Sequence, residues 1–369
     1  MTPDDVALSN PAATASPSPA MAAETARRPK DAVSQFSQRL SLTRLLLIVL
    51  VVYVHFPLAV PAERGIAAIT PLEPAFIANA TFLRFSVTIL TIMSGFIMFE
   101  KRSDQQGMHT IWKKVRTIAI PFFFWNLSLV AALFVAQRLG LLSGQRLDLL
   151  TPDLKTWLDA TLAYSTRPVN YPLYFLRDLF VISVLAVLAS RLIRSAVIPM
   201  IAIAVLIAEY ELDGNLILRT PMLIAFLIGA ALAIYKVPLD RLDRGLPWFA
   251  GLMVVACIAH YYYPTGSTSL LISILGGLTV WTFTSLIPKS VVLQRLVGFA
   301  RYAFPIYLIH GIVLFGVLAL GFDIANSFTG LVLWLVLPLV IAVASALAFR
   351  LFRTIMPGFA SFTTGGRGA

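Results

Sequence analysis

Cysteine occurs once in the chain, as Cys257 within an apolar run. An intramolecular disulfide and a cysteine-based metal cluster are thereby excluded. Charge is scarce as well. Asp, Glu, Lys and Arg supply 13% of the 369 residues, where a soluble domain carries roughly 25%. No phosphate-binding loop, dinucleotide fingerprint or internal repeat stands out. Hydrophobic residues fill the space, at 58% of the chain. Their runs of about 20 residues recur, each long enough to cross a bilayer. A soluble protein with one large core is excluded, and a polytopic membrane protein is predicted. The net charge of +11 then reads as basic loops that set orientation in the lipid bilayer. Nucleic acid is not expected as a partner.

Residues 1–38 are rich in Ala, Pro, Ser and Thr and end on the basic stretch "RRPK". They lack the apolar core of a signal peptide, and composition predicts a disordered cytoplasmic tail. From 39 to 355 the chain is predicted to be an all-α integral membrane protein, a bundle of about ten transmembrane helices. The spans fall near 41–61, 75–99, 115–137, 172–192, 195–210, 217–235, 247–263, 268–287, 302–320 and 328–350. Residues 356–369 are expected to form a flexible cytoplasmic tail.

The basic residues test this arrangement. With the N-terminus in the cytoplasm, every inner segment is basic, and three outer loops have no Lys or Arg. The positive-inside rule therefore places both termini in the cytoplasm. Arg44, Arg84, Arg177 and Arg219 fit no loop. They lie inside or at the ends of apolar spans, where arginine costs at least about 2.5–3.5 kcal/mol at the centre. Such residues face a polar cavity or a partner.

Arg44 and His55 stand in "RLLLIVLVVYVH". Eleven residues of α-helix bring the chain round to within about 20° of the same face, about 16 Å further along the axis. The pair is predicted to line one cavity. A purely structural pair would have Arg44 snorkelling to headgroups and His55 bonding a neighbouring helix. "RFSVTILTIMSGFIMFEKR" holds Arg84 near mid-span and the small residues Ser94 and Gly95 before Phe96. Small residues allow helices to approach closely. In "KKVRTIAIPFFFW" the cations Lys113, Lys114 and Arg116 precede Pro121, which can open the helix just inside the membrane. In "YPLYFLRDLF" Arg177 and Asp178 are adjacent, point about 100° apart on a helix, and are expected to find separate partners. "FARYAFPIYLIHG" puts His310 in mid-span, whereas His260 in "HYYY" belongs to an interfacial aromatic belt. His109 lies in a basic loop and is expected to be solvated.

Taken in order, Arg-x10-His, "SGF", the basic pair before Pro121, "YFLRDLF" and "IYLIH" resemble acyltransferase family 3, over about residues 39–355. The resemblance implies acyl transfer, often of acetyl or succinyl groups, from a cytoplasmic acyl-CoA to a carbohydrate exported across a bacterial inner membrane. It implies no permanently bound cofactor and no metal. Acyl-CoA, with acetyl-CoA as the first candidate, is the donor substrate, a carbohydrate the acceptor, and glycan-assembly proteins are candidate partners. His55 is the candidate base, with Arg44 orienting it or stabilising donor charge. Lys113, Lys114 and Arg116 are the candidate donor-binding set, although the first of these is lysine where many relatives have arginine. Arg84, Arg177, Asp178 and His310 are candidate substrate-binding residues. A transporter or flippase for a glycan precursor would use the same buried charges, but such proteins carry inverted repeats or paired broken helices, and no clear repeat is present.

Overall fold

The computed structural model describes residues 19–56, 72–81, 83, 85–140, 149–150, 153–210, 212, 214–287, 290–319 and 327–367, with nearly all side chains from residue 35 on. Among them every regular element is helical. In chain order these are α1 (Pro19–His55), α2 (Glu73–Ala80), α3 (Phe85–Glu100), α4 (Met108–Lys114), α5 (Ile120–Arg138), α6 (Leu154–Leu162), α7 (Tyr174–Leu188) and α8 (Ser190–Glu209). There follow α9 (Pro221–Ile234), α10 (Leu246–Tyr262), α11 (Gly266–Leu286), α12 (Val291–Phe299), α13 (Ala303–Ala319), α14 (Phe328–Ile355) and α15 (Pro357–Thr363). Met1–Leu40 forms one unit and Ser41–Ala369 a second; the packing below belongs to the second.

Among the described residues, eight helical segments are long and apolar enough to cross a membrane. Two shorter apolar helices, Phe85–Glu100 and Pro221–Ile234, stand where the remaining two of the ten expected spans fall. The span expected over 75–99 is divided into α2 and α3, because Thr81 leaves helical geometry (φ −109°, ψ −96°) after its hydroxyl bonds the Ile77 carbonyl. Both expected tails carry helix where they are described, and residues 1–18 lie outside the described residues. Residues 19–38 are helical, consistent with the strong helix formers Ala, Glu, Arg and Lys in "AMAAETARRPK". At the other end, α15 turns back into the bundle. Ala360, Thr363 and Thr364 are fully buried, and the Trp125 indole N–H donates to the Thr363 carbonyl at 3.1 Å.

Helices α3 and α9 approach each other closely. A Cβ on Gly95 would collide with the Phe226 carbonyl, and one on Gly229 with the Ile92 carbonyl. Ala225, Gly229 and Ala233 follow at intervals of four, all buried on α9. This is the small-residue stripe that lets helix backbones meet where no hydrophobic effect drives them together. The close approach expected from "SGF" is realised at Gly95.

Between α4 and α5 the helix widens to a π-turn over Val115–Ala119, closed by the Ile120 N–H bonding the Val115 carbonyl. Pro121 follows directly. It lacks an N–H and its ring clashes with the carbonyl four residues back, so a wider turn relieves the conflict. Arg116 lies on this turn, exposed like Lys113, while Lys114 is half-buried. Asp104, fully buried before α4, receives two 2.7 Å bonds from the Arg194 guanidinium and a 2.6 Å bond from the Ser190 hydroxyl. That ties the α3–α4 connection to α8.

The chain enters α7 through a loop closed by Asp159. Its carboxylate accepts from the Ser165 N–H at 2.6 Å and the Ser165 hydroxyl at 2.7 Å. These bonds hold the carboxyl below its ordinary range. Stability from a depressed carboxyl is present above its unfolded pKa and is lost as pH falls through the folded value. Amide protection at 163–170, corrected for the intrinsic pH dependence of exchange, should therefore fall on acidification below about pH 4. Asp159→Asn should be less protected at pH 6 and lose little further protection on acidification; an unchanged acid response would remove this role. Gly229→Leu should lower the melting temperature in detergent, since overpacking costs about 1–3 kcal/mol or more against backbone. A stable, monodisperse variant would contradict the close α3–α9 approach.

Candidate active site

His55 closes α1 and His310 sits two turns into α13. Their rings face each other with centroids 5.6 Å apart, tilted by 53°. The His55 Nδ1 lies 2.8 Å from the Val51 carbonyl. The His310 Nδ1 lies 2.8 Å from the Tyr307 carbonyl and 3.2 Å from that of Ile306. A carbonyl oxygen only accepts, so in the neutral rings each Nδ1 carries the proton and each Nε2 presents a lone pair. The His310 Nε2 is buried and has no hydrogen-bond partner among the described residues.

A second layer frames the pair. The Tyr307 hydroxyl donates to the Pro172 carbonyl. The Asn170 N–H donates at 3.0 Å to the side chain of Asn126, whose amide in turn bonds the Ala160 and Thr161 carbonyls. Gly311, next to His310, leaves room for Asn170, which a Cβ there would strike. These contacts bring Tyr171 against His55, with ring centroids 5.4 Å apart and edge to face.

Arg219 completes the cluster. Its guanidinium donates to the Tyr171 hydroxyl at 3.1 Å and lies 4.7 Å from the Tyr174 ring centroid. It is also within coulombic reach of His55. Arg167 covers the Tyr171 ring at 5.1 Å.

What holds Arg219 there is Asp178. The fully buried carboxylate accepts the Leu218 N–H at 3.1 Å and the Arg219 N–H at 2.9 Å. Arg177 pairs with Asp178 at 2.9 Å and donates to the Asn215 and Leu216 carbonyls at 2.7 and 2.6 Å. The expectation that these neighbours find separate partners is thus corrected. Their Cβ atoms diverge, but the long Arg side chain curls back to Asp178 while its other donors reach the loop before α9. Together they clamp residues 215–219.

The sequence candidates therefore occupy two places. His55 and His310 meet, with Arg177 and Asp178 behind Arg219. Arg44, on the stripe of α1 that leads from His55, is near Arg367, and Arg367 is near Lys114. Arg84 lies outside the described residues. His109 is exposed beside Gln106, and His260 bonds the Thr268 hydroxyl at 2.7 Å. Among the described residues no group of three His, Cys, Asp or Glu is placed to hold a metal. Tyr171 and Arg219 were not singled out for the site, although Arg219 is one of the four arginines left in apolar spans. Arg367 carried no signal, lying among the small residues of the C-terminus.

The sequence model of the acyltransferase domain (Acyl_transf_3) matches residues 38–351, most of the chain. The chain belongs to this family. It is also 32% identical over 239 residues to the "Succinoglycan biosynthesis protein ExoH" of Rhizobium meliloti (strain 1021). That alignment covers 62% of this chain and 63% of the relative. No solved structure matches it. The family match and the recurrent apolar helices make this acyltransferase-family protein a multi-pass membrane protein.

The clamp on Arg219 generates a test. Asp178→Ala leaves the Arg177 charge and two backbone N–H groups without their acceptor, a loss of about 3–5 kcal/mol for a broken buried pair. It should lower the melting temperature well below that of Tyr171→Phe, which removes one hydroxyl. Equal melting temperatures for the two variants would rule out the clamp.

Proposed function

We propose that this protein is an O-acyltransferase that moves an acyl group from a cytoplasmic acyl-CoA to a hydroxyl of an exported carbohydrate. The observation that carries the reading is the facing pair of histidines with both Nδ1 atoms engaged by backbone carbonyls, which makes Nε2 the ring atom that accepts a proton in each. A sugar hydroxyl is a weak nucleophile until a base removes its proton, and neutral imidazole is suited to that near pH 7.

In this mechanism the His55 Nε2 takes the hydroxyl proton as the oxygen attacks the thioester carbonyl. The tetrahedral oxyanion forms beside Arg219 and Tyr171, whose N–H and O–H groups supply donors in a site removed from bulk water. The intermediate collapses with loss of the CoA thiolate, which takes the proton from His55. The C–S bond breaks, the C–O bond forms, and the base is restored. Transfer is direct, with no acyl-enzyme.

The donor arrives from the cytoplasmic side. Lys113, Lys114 and Arg116 lie at one end of the bundle, and α1 runs from Arg44 near that end to His55, about 16 Å along its axis. An extended pantetheine arm spans this interval. The name of the relative concerns succinoglycan biosynthesis, and this favours an exopolysaccharide or its lipid-linked repeat as acceptor, with glycan-assembly proteins as partners. Acetyl and succinyl are the acyl groups of first choice. Basic loops support a reading in which both termini are cytoplasmic and the membrane is a bacterial inner membrane.

Mass spectrometry of cell-surface polysaccharide with and without the protein should show the loss of one acyl mass. His55→Gln should lower turnover about 10²–10⁴-fold, roughly 3–5 kcal/mol of barrier, because an amide bonds but takes no proton. Near wild-type turnover in a folded His55→Gln protein would reject His55 as the base. Unchanged acylation with altered glycan export in the deletion strain would favour a transporter instead.

A further inference from the structure

The C-terminal segment lies beyond the residues that match the family, which end at 351. It does not leave the bundle. After α15 the backbone turns through Gly365 at φ +61°, where a Cβ would lie 2.7 Å from the Arg116 carbonyl oxygen. The left-handed conformation and the lack of space both favour glycine here. The turn lays residues 363–367 against the π-turn that carries Arg116. The Gly366 N–H bonds the Ser361 carbonyl at 2.8 Å, and the Arg367 guanidinium settles over the Phe304 ring at 4.3 Å.

Arg367 thereby joins cations from two distant parts of the chain. It is within coulombic reach of Arg44 on α1 and of Lys114 on α4. Among the described residues no carboxylate forms a salt bridge with any of the three. Three cations gathered without an acid repel one another, and a bound polyanion offsets that repulsion. Arg367 is solvent-exposed, and its guanidinium is cationic at neutral pH. Beside it opens a cavity of about 370 Å³, within the size range of small-molecule sites. Arg353 and Arg367 line it with Ser361 and Thr364, while Phe349 and Pro357 form an apolar wall. Cations beside an apolar wall suit a phosphorylated nucleoside.

We infer that the C-terminal segment is part of the donor site, with Arg367 binding the phosphates of the adenosine end of coenzyme A beside Arg44 and Lys114. This rests on the acyl-CoA reading above. It adds a binding residue outside the matched domain and makes the segment after α15 a determinant of donor affinity. An anionic lipid headgroup offers the same phosphate chemistry at this end of the bundle, and the test must separate the two.

The full-length protein in nanodiscs of neutral lipid is titrated with coenzyme A by calorimetry. Arg367→Gln should weaken binding about tenfold, as expected for loss of a charge-assisted contact, and raise the donor KM in the same proportion. The acceptor KM and the melting temperature should not move, because the Trp125–Thr363 anchor is intact. Arg367→Lys should fall between the two, since it keeps the charge and loses the fork. Arg244→Gln, a change in the separate turn before α10, serves as the control and should leave coenzyme A binding unchanged. Unaltered coenzyme A affinity in a folded Arg367→Gln protein overturns the inference. So does a loss confined to phosphatidylglycerol retained in native mass spectra, which assigns the recess to lipid. If the wild-type protein itself binds no coenzyme A, the donor reading has failed, and the inference with it.

Discussion

A buried carboxylate holds the site together. Asp178 has no exposed surface, and its two oxygens accept two consecutive backbone N–H groups and one arm of Arg177. In an apolar bundle such a charge persists only with donors around it. The donors come from the loop before α9, so satisfying the charge also fixes the path of that loop. Arg219 follows from this, and with it the donor bonded to the Tyr171 hydroxyl beside His55. The aspartate is thus a positioning residue, and the chemistry proposed for the histidine pair depends on it without touching it.

The rest of the bundle meets the same demand by other means. Where α3 and α9 cross, Gly95 and Gly229 let backbone meet backbone. Near Pro121 the chain widens by one residue and keeps its hydrogen bonding through a π-turn. At the loops, Asp104 and Arg194 neutralise each other. The π-turn and the ion pair satisfy polar groups that lipid would leave unpaired, while the glycines allow close packing. Some of the irregular backbone falls beside the sites, at the π-turn next to Arg367 and at the 170–173 turn next to His55.

Polar residues accordingly gather in two places joined by α1. One is the cationic end formed by Arg44, Lys114 and Arg367, and the other is the facing pair of histidines with Tyr171 and Arg219. A single helix with Arg44 and His55 on one stripe links them. This arrangement lets a donor that is polyanionic at one end and reactive at the other bind in one orientation, which is how remote binding energy aids chemistry at a distant atom.

Much of this was legible in the sequence, because membrane insertion reads local properties. Apolar length marks the spans within one segment of chain. Helical periodicity likewise placed Arg44 and His55 on one face. "SGF" flagged a close approach but not its partner α9, and "RD" at 177–178 flagged buried charge but not its clamp on residues 215–219. The division of 75–99 at Thr81 and the return of α15 escaped notice, since both turn on where a few polar bonds fall. The meeting of His55 with His310 and of Tyr171 with Arg219, and the coulombic reach between Arg44 and Arg367, join residues far apart in the chain. Sequence alone determined which residues are too polar for lipid. Only the tertiary structure decided which of them satisfy one another, because partners in a bundle are chosen by helix packing, and packing depends on neighbours that no local pattern specifies.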